Sequence, residues 1–338
     1  MCVNIDEVCM YKILYIGRPI ESVVQVLKES ASLDLLGYIL DKNLPEDKIN
    51  NDKKIFRSYD LHEYNFSDID IVKPDLVLVP NYSRLIKSSL INRYPFINIH
   101  GGILPKWRGF SSNLWALLNG EKKVGYTVHR IRSGMDNGEI YRIIDVDVQD
   151  DVKFIDLRKN IIDKLCNQLE NILIGIIDGS LQPVEQKEND IVYNCKLNPD
   201  DGIVWDWDKP SRYFIGLWQI FSYPPYGTGM KVFIHDKLYY VTKITQEPEI
   251  AVSMGISGAV VNMYEDGSVL IKTQDTAVRI YELMDEEMRK ILPATLVKIG
   301  MRIKRTHIRG GGQLNDVKYI SPEKIICEVS IFSEGVAV

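Results

Sequence analysis

The chain has 338 residues, 45% of them hydrophobic and 26% charged, as expected for a soluble globular protein of two or three domains. Its 41 Lys and Arg against 46 Asp and Glu give a net charge of -5, which argues against broad contact with nucleic-acid phosphates. The five cysteines include no Cys-x-x-Cys pair, and no apolar run approaches the ~20 residues of a membrane-spanning helix. We therefore expect a cytoplasmic protein with reduced thiols, no metal site and no membrane partner.

The first part of the chain alternates predicted strands and helices. Residues 1–10 lack the cationic start and apolar core of a signal peptide, so we expect a flexible N-terminal extension. Predicted strands follow at 11–17, 35–40, 75–80, 96–100, 124–131 and 139–148, and predicted helices at 21–32, 84–92, 111–118 and 152–177. This alternation predicts an α/β fold with a Rossmann-like, doubly wound, mostly parallel sheet in a first domain over residues 11–195. A single Gly17 after the first strand, without Gly-x-Gly-x-x-Gly, disfavours a dinucleotide site.

One motif in this domain contains two candidate catalytic residues, and a third follows it in the chain. In the stretch FINIHGGILPKWRG, Asn98 and His100 lie two residues apart on a predicted strand, so their side chains point to the same face. Asp136 lies between Gly134 and Gly138 and is predicted to be presented by a sharp turn. A carboxylate supports an imidazole that moves a proton, and an amide can donate to a developing oxyanion. These residue types indicate acyl transfer or hydrolysis without a Ser or Cys nucleophile.

The Asn-x-His pair, the run LPKWRG, the segment NGEKKVGYTVH and the later Asp together resemble the N10-formyltetrahydrofolate-dependent formyltransferases. This family includes glycinamide ribonucleotide, methionyl-tRNA and nucleotide-sugar N-formyltransferases. The resemblance implies that residues 11–195 form a catalytic formyltransferase domain, with N10-formyltetrahydrofolate as co-substrate and no metal. Asn98 is then expected to donate to the oxyanion and Asp136 to orient His100. Whether His100, or Asp136 acting through water, is the base stays open at this point.

The resemblance also suggests where the two substrates bind. The pterin ring is expected to lie against the backbone of the segment 83–90 and the turn before Asp136, with an apolar wall from the Leu-Pro pair. The expected folate-binding residues are Ser83, Arg84, Leu85, Ile86, Leu104, Pro105, Gly134 and Met135. The expected acceptor-binding residues are Lys106, Trp107, Arg108 and His129. The Lys-Trp-Arg run has two equal interpretations, a clamp for a phosphate or base and a structural loop in which the arginine caps carbonyls.

The second half of the chain has a different pattern. After a polar link at 190–208 and a linker helix at 210–221, five short strands are predicted at 229–234, 238–244, 258–263, 268–273 and 277–283. Residues 196–305 are therefore expected to hold the linker helix and a small OB-like β-barrel domain. This half resembles, more loosely, the carboxy-terminal domain of methionyl-tRNA formyltransferase. Residues 306–338 are expected to form a tail or an added hairpin.

Three hypotheses for the function follow. The acceptor is a nucleotide-linked amino sugar for lipopolysaccharide or another surface polysaccharide, or the methionyl group of initiator tRNA, or the chain is a non-catalytic folate-binding protein. Residues 202–338 carry 16 Lys and Arg and 16 Asp and Glu, whereas a tRNA-binding barrel should be basic. The intact Asn98, His100 and Asp136 argue against the third hypothesis. We favour the amino sugar, expect no nucleic-acid partner, and consider a homodimer.

Overall fold

The computed structural model describes residues 10–39, 55–56, 69, 72–82, 86–187, 189–204, 206–222, 229–247 and 255–303. They separate into two compact units, one within residues 1–199 and 215–227 and the other within 200–214 and 228–338. Within the described ranges, no helix combines the length and the apolar character needed to cross a membrane.

The first unit is built on a seven-stranded mixed sheet. In sheet order its strands are β3 (Ile55–Phe56), β2 (Leu33–Ile39), β1 (Tyr11–Ile16), β4 (Leu76–Leu78), β5 (Phe96–His100), β7 (Lys123–Arg130) and β8 (Ile140–Asp147). The first five strands are parallel to one another, and β7 and β8 continue the sheet in antiparallel pairing. The predicted Rossmann-like, mostly parallel α/β sheet is therefore confirmed.

Five helices have both ends within the described residues. They are α1 (Glu21–Glu29), α2 (Ser88–Ile91), α3 (Ser112–Leu118), α4 (Phe154–Ile177) and α5 (Ser211–Phe221). Buried residues of α4 recur at intervals of three or four, which turns one apolar stripe of this long helix toward the core. The sheet contributes fully buried side chains from its central strands, among them Leu14, Val77 and Phe96. Phe96, the first residue of β5, anchors this strand in the core.

A second, two-stranded sheet lies in the same unit and was not predicted. Its strands are β6 (Trp107–Gly109) and β9 (Val192–Asn194), which pair in parallel. Val192 N–H donates to the Lys106 carbonyl at 2.7 Å, and Asn194 O accepts from Phe110 N–H at 3.0 Å. The prediction of a simple polar link at 190–208 was therefore wrong for its first part. A three-residue strand whose partner lies about 85 residues away leaves no periodicity in the sequence.

The second unit is built on an antiparallel sheet of six strands. They are β10 (Met230–Ile234), β11 (Lys237–Glu247), β12 (Val260–Met263), β13 (Val269–Lys272), β14 (Ala277–Met284) and β15 (Lys290–Ile291). The ladder runs β10-β11-β14-β13-β12, and β15 pairs with β14. The five predicted strands are thus present as one antiparallel sheet, and over the described residues its path is open. The predicted tail at 306–338 lies outside the described residues.

Candidate active site

Asn98 and His100 lie at the carboxyl end of β5, on the face that the sequence predicted. Asn98 is directly opposite His129 on β7, and His100 is opposite Thr127. The turn between β7 and β8 brings Asp136 to this face. Its Oδ2 lies 3.5 Å from His100 Nδ1, and its Oδ1 accepts a hydrogen bond of 3.3 Å from Asn98 Nδ2. The three predicted catalytic side chains therefore converge, although their roles in catalysis stay predictions.

His129 belongs to the same cluster. Its Nδ1 lies 2.8 Å from the Arg130 carbonyl, which can only accept, so in the neutral ring Nδ1 carries the hydrogen. Its Nε2 then accepts from Asn98 Nδ2 at 3.1 Å and lies 3.6 Å from Asp136 Oδ1. The side chain is only 2% exposed, so it contacts the predicted catalytic residues from within the protein. The sequence pointed to His129 as an acceptor contact, and that role stays a prediction.

The main chain of β6 supports two members of the cluster. His100 Nε2 donates to the Trp107 carbonyl at 2.7 Å, which leaves Nδ1 facing the Asp136 carboxylate. Two residues further on, Gly109 N–H donates to Asp136 Oδ2 at 2.9 Å. The Trp107 side chain is 5% exposed and therefore packs in the core, whereas Lys106 is exposed and forms an ion pair with Glu121. A short strand that the sequence did not predict thus fixes the imidazole and the carboxylate.

The turn that carries Asp136 has an unusual backbone. Asp136 has φ +50°, in the left-handed region, which costs a non-glycine residue about 1 kcal/mol. A Cβ on Gly138 would lie 1.8 Å from the Arg130 carbonyl, so only glycine fits there. Gln186 Nε2 donates to the carbonyls of Asp136 and Gly138 at 2.8 and 2.6 Å. A strained turn therefore orients the Asp136 carboxylate, and hydrogen bonds from Gln186 stabilise the backbone of this turn.

Burial and charge set the protonation states of the pair. Burial lowers the pKa of His100 below its usual value, and the Asp136 charge opposes this only in part. Burial works to raise the pKa of Asp136, but the cationic forms of His129 and His100, together with the Gly109 N–H, outweigh it and lower the pKa to about 2. At neutral pH the site therefore holds a carboxylate beside a mainly neutral imidazole, which can accept a proton at Nδ1.

Arg108 is 4% exposed, and its guanidinium is engaged by the protein. Nη2 and Nε donate to Gln186 Oε1 at 2.7 and 3.3 Å, and Nη1 donates to the Tyr193 hydroxyl at 2.9 Å. Of the two interpretations of the Lys-Trp-Arg run, these contacts favour a structural arginine, although it binds side chains and caps no carbonyl in the hydrogen bonds described. Its role as a substrate cation stays a prediction. Gln186 and Tyr193 were missed because nothing in the local sequence marks them.

The predicted folate-binding residues fall into three groups. Ser83, Arg84 and Leu85 lie outside the described residues, and Ile86 is buried. Leu104 is buried, Pro105 is half-buried, and Thr127 Oγ1 ties their loop by accepting from Leu104 N–H at 3.2 Å and donating to the Gly102 carbonyl at 2.7 Å. Gly134 has φ +122°, and Met135 beside it is exposed. Among the described residues, no cluster of three His, Cys, Asp or Glu side chains could hold a metal ion.

Comparison with known proteins identifies the class of enzyme. Residues 17–169 match the family model described as formyl transferase. A similar curated relative is the methionyl-tRNA formyltransferase of Dictyoglomus thermophilum, 24% identical over 302 residues that cover 83% of this chain and 94% of the relative. Residues 17–169 therefore form a formyl transferase domain, and the chain is a formyltransferase enzyme.

Solved structures share the fold. An N-formyltransferase from Helicobacter canadensis, in complex with folinic acid and dTDP-3-aminofucose, matches with a TM-score of 0.57 and 18% identity, covering 80% of this chain and 99% of that one. HypX from Aquifex aeolicus, in complex with tetrahydrofolic acid, matches with a TM-score of 0.52 and 20% identity over 84% of this chain. The chain spans 46% of the length of HypX. At these identities the likeness concerns the fold.

Proposed function

We propose that this enzyme transfers a formyl group from N10-formyltetrahydrofolate to the primary amine of a nucleotide-linked amino sugar, for the synthesis of a surface polysaccharide. The observation that carries the reaction class is the convergence of Asn98, His100 and Asp136, with 3.5 Å between His100 Nδ1 and Asp136 Oδ2. When bound, the folate supplies the formyl group as an acyl donor. The intact cluster disfavours a protein that only binds folate.

The chain's own groups can serve this reaction in distinct ways. As the amine nitrogen bonds to the formyl carbon, a mainly neutral His100 accepts the proton that the amine loses, and Asp136 stabilises the imidazolium that results. The imidazolium then returns this proton to N10 of the folate as the bond between N10 and the formyl carbon breaks. The Asn98 amide nitrogen is held by His129 and Asp136 and can donate to the oxyanion by exchanging one of these bonds. One such donor is worth about 3–4 kcal/mol of transition-state stabilisation. The order of these proton transfers, first from the amine to His100 and then from His100 to the folate, is part of this proposal.

The folate site is proposed on the apolar side of the cluster. Buried Leu104 and half-buried Pro105 offer an apolar wall beside β5, and exposed Met135 and Gly134 line the turn that carries Asp136. An apolar wall near a few polar groups suits a flat aromatic ring system. Support also comes from related folds that were solved with tetrahydrofolic acid and folinic acid. No residue of this proposal requires a metal.

The amino-sugar acceptor is supported by charge. A tRNA-binding surface gains affinity by neutralising many phosphates, yet residues 202–338 carry 16 Lys and Arg and 16 Asp and Glu. A sugar diphosphate needs only one or two cations. Since Arg108 is buried, the exposed Lys106 is the better candidate for this contact. The related structure solved with dTDP-3-aminofucose supports the same class of acceptor.

Methionyl-tRNA is the second candidate, favoured by the names of the curated relatives. The decisive experiment measures kcat/KM for formyl transfer to charged initiator tRNA and to a panel of nucleotide-linked amino sugars, at equal ionic strength. We expect transfer to at least one sugar nucleotide to exceed transfer to tRNA. Efficient formylation of tRNA with every sugar inert would establish the second candidate instead.

A pair of variants sharpens this test. Lys106→Ala is expected to raise the KM for the sugar nucleotide about tenfold, since a charge-assisted phosphate contact is worth about 1–2 kcal/mol. The KM for the folate should change little. Lys159→Ala removes another exposed lysine, which lies on α4, and serves as the control. Equal KM values in the two variants would remove Lys106 from the acceptor site.

Three further expectations accompany this proposal. We propose that the antiparallel sheet of the second unit is OB-like, which its five consecutive strands β10 to β14 support. The cytoplasmic location and the homodimer stay predictions, and gel filtration with light scattering would test the latter.

A further inference from the structure

Gln186 lies in a segment that is tied to the sheet of the first unit. Two residues before it, Val184 exchanges two backbone hydrogen bonds of 2.8 Å with Ile140, the first residue of β8. From this anchored position Gln186 Nε2 reaches the carbonyls of Asp136 and Gly138 at 2.8 and 2.6 Å. Gln186 therefore forms hydrogen bonds with the backbone of the turn on both sides of Asn137.

The orientation of the Gln186 amide is set by its partners. The Arg108 guanidinium can only donate, so the atom that faces it must be Oε1. The two turn carbonyls can only accept, so the atom that faces them must be Nε2. Arg108 is itself buried and held by the Tyr193 hydroxyl. The Gln186 amide therefore has only one orientation in which both Arg108 and the two turn carbonyls form hydrogen bonds with it.

The turn needs such support because Asp136 adopts a left-handed backbone conformation. Its carboxylate is fixed by Gly109 N–H, while its backbone is fixed by Gln186. If the backbone shifted, the contacts with His100 at 3.5 Å and with Asn98 at 3.3 Å would lengthen. We propose that Gln186, oriented by Arg108, is a positioning residue that holds Asp136 in its reactive geometry. This inference rests on the proposed formyl transfer.

Two variants of Gln186 separate its functions. Gln186→Glu keeps an oxygen for Arg108 but replaces the donor to the turn by an acceptor, and Gln186→Met removes both without adding charge. Both are expected to lower kcat at least tenfold, and up to about 100-fold for a displacement near 1 Å, with KM for either substrate within about threefold. Gln182→Met is the control, since Gln182 donates a similar bond of 2.6 Å to the Gly179 carbonyl.

A second readout does not depend on turnover. In Gln186→Met, the displaced Asp136 carboxylate should stabilise the imidazolium of His100 less, so the NMR titration of the His100 ring should move to lower pH, whereas Gln182→Met should leave it in place. A wild-type enzyme inactive with every acceptor would defeat the proposed function, and this titration would still test the positioning. The inference is overturned if both Gln186 variants keep kcat within twofold and His100 titrates as in wild type. It is also overturned if both lose cooperative unfolding, because the bonds would then serve the fold.

Discussion

Two parts of the site are held in different ways. Asn98 and His100 are placed by the ladder of β5, which pairs with β4 on one side and β7 on the other. Asp136 lies on a left-handed turn that is held by Gly109 N–H and by Gln186, residues 27 and 50 positions away in the chain. Backbone ladders inside a packed core resist displacement, whereas a turn held by a few hydrogen bonds depends on each of them. Distant substitutions should therefore act mainly through the turn.

The largest expected effect comes from removing one of the predicted catalytic side chains. His100→Ala should fold, since the ladder of β5 does not depend on this side chain, but kcat should fall by about 10²–10⁴ because the proton acceptor is lost. Asn98→Ala and Asp136→Ala are expected to lose most turnover as well. His235→Ala is the control, since His235 binds the Leu296 carbonyl on an exposed turn. More than a tenth of wild-type turnover in His100→Ala would contradict its role.

A smaller effect is expected from the turn. Gly138→Ala forces a Cβ into the Arg130 carbonyl at 1.8 Å and should displace Asp136, lowering kcat about 10–100-fold. Gly179→Ala is the matched variant, because Gly179 has φ +78° but no atom within 4 Å of its added Cβ. That variant should lose about 1 kcal/mol of stability and keep its turnover. Steady-state kinetics and thermal unfolding of Gly138→Ala and Gly179→Ala test this prediction. Equal kcat values in the two variants would mean that catalysis tolerates a displacement of the turn.

The smallest effect concerns stability in acid. The pKa of Asp136 is about 2 in the folded protein and about 3.8 without perturbation, so its contribution is present above pH 4 and is lost as the pH falls through 2. The free energy of unfolding of wild type should therefore drop between pH 5 and pH 2 by about 2 kcal/mol more than that of Asp136→Asn. Urea unfolding at both pH values measures the difference. The same drop in both proteins would show that the cluster does not favour the ionised carboxyl.

Much of the site was predictable because its signals are local. The Asn-x-His spacing on an apolar strand fixes a common face, and glycines on both sides of Asp136 mark the turn. Arg108 shows the limit of this reasoning, since an arginine next to a catalytic strand has the same local pattern whether it faces a substrate phosphate or a buried glutamine. The prediction that His129 contacts the acceptor is limited in the same way. The alternation of side chains along a strand predicts which face His129 lies on, but it does not predict which residues His129 contacts.

The sequence by itself determined the α/β alternation, the strand of Asn98 and His100, the turn of Asp136 and the antiparallel strands of the second unit. Periodicity and turn chemistry act over a few residues and are visible in any one segment. Only the tertiary structure decided that β9 pairs with β6, that Arg108 is buried, and that Gln186 holds the Asp136 turn. These contacts join residues about 50 to 85 positions apart through a few hydrogen bonds each. Their partners are chosen by where the packed core brings the chain, and no local pattern records that choice.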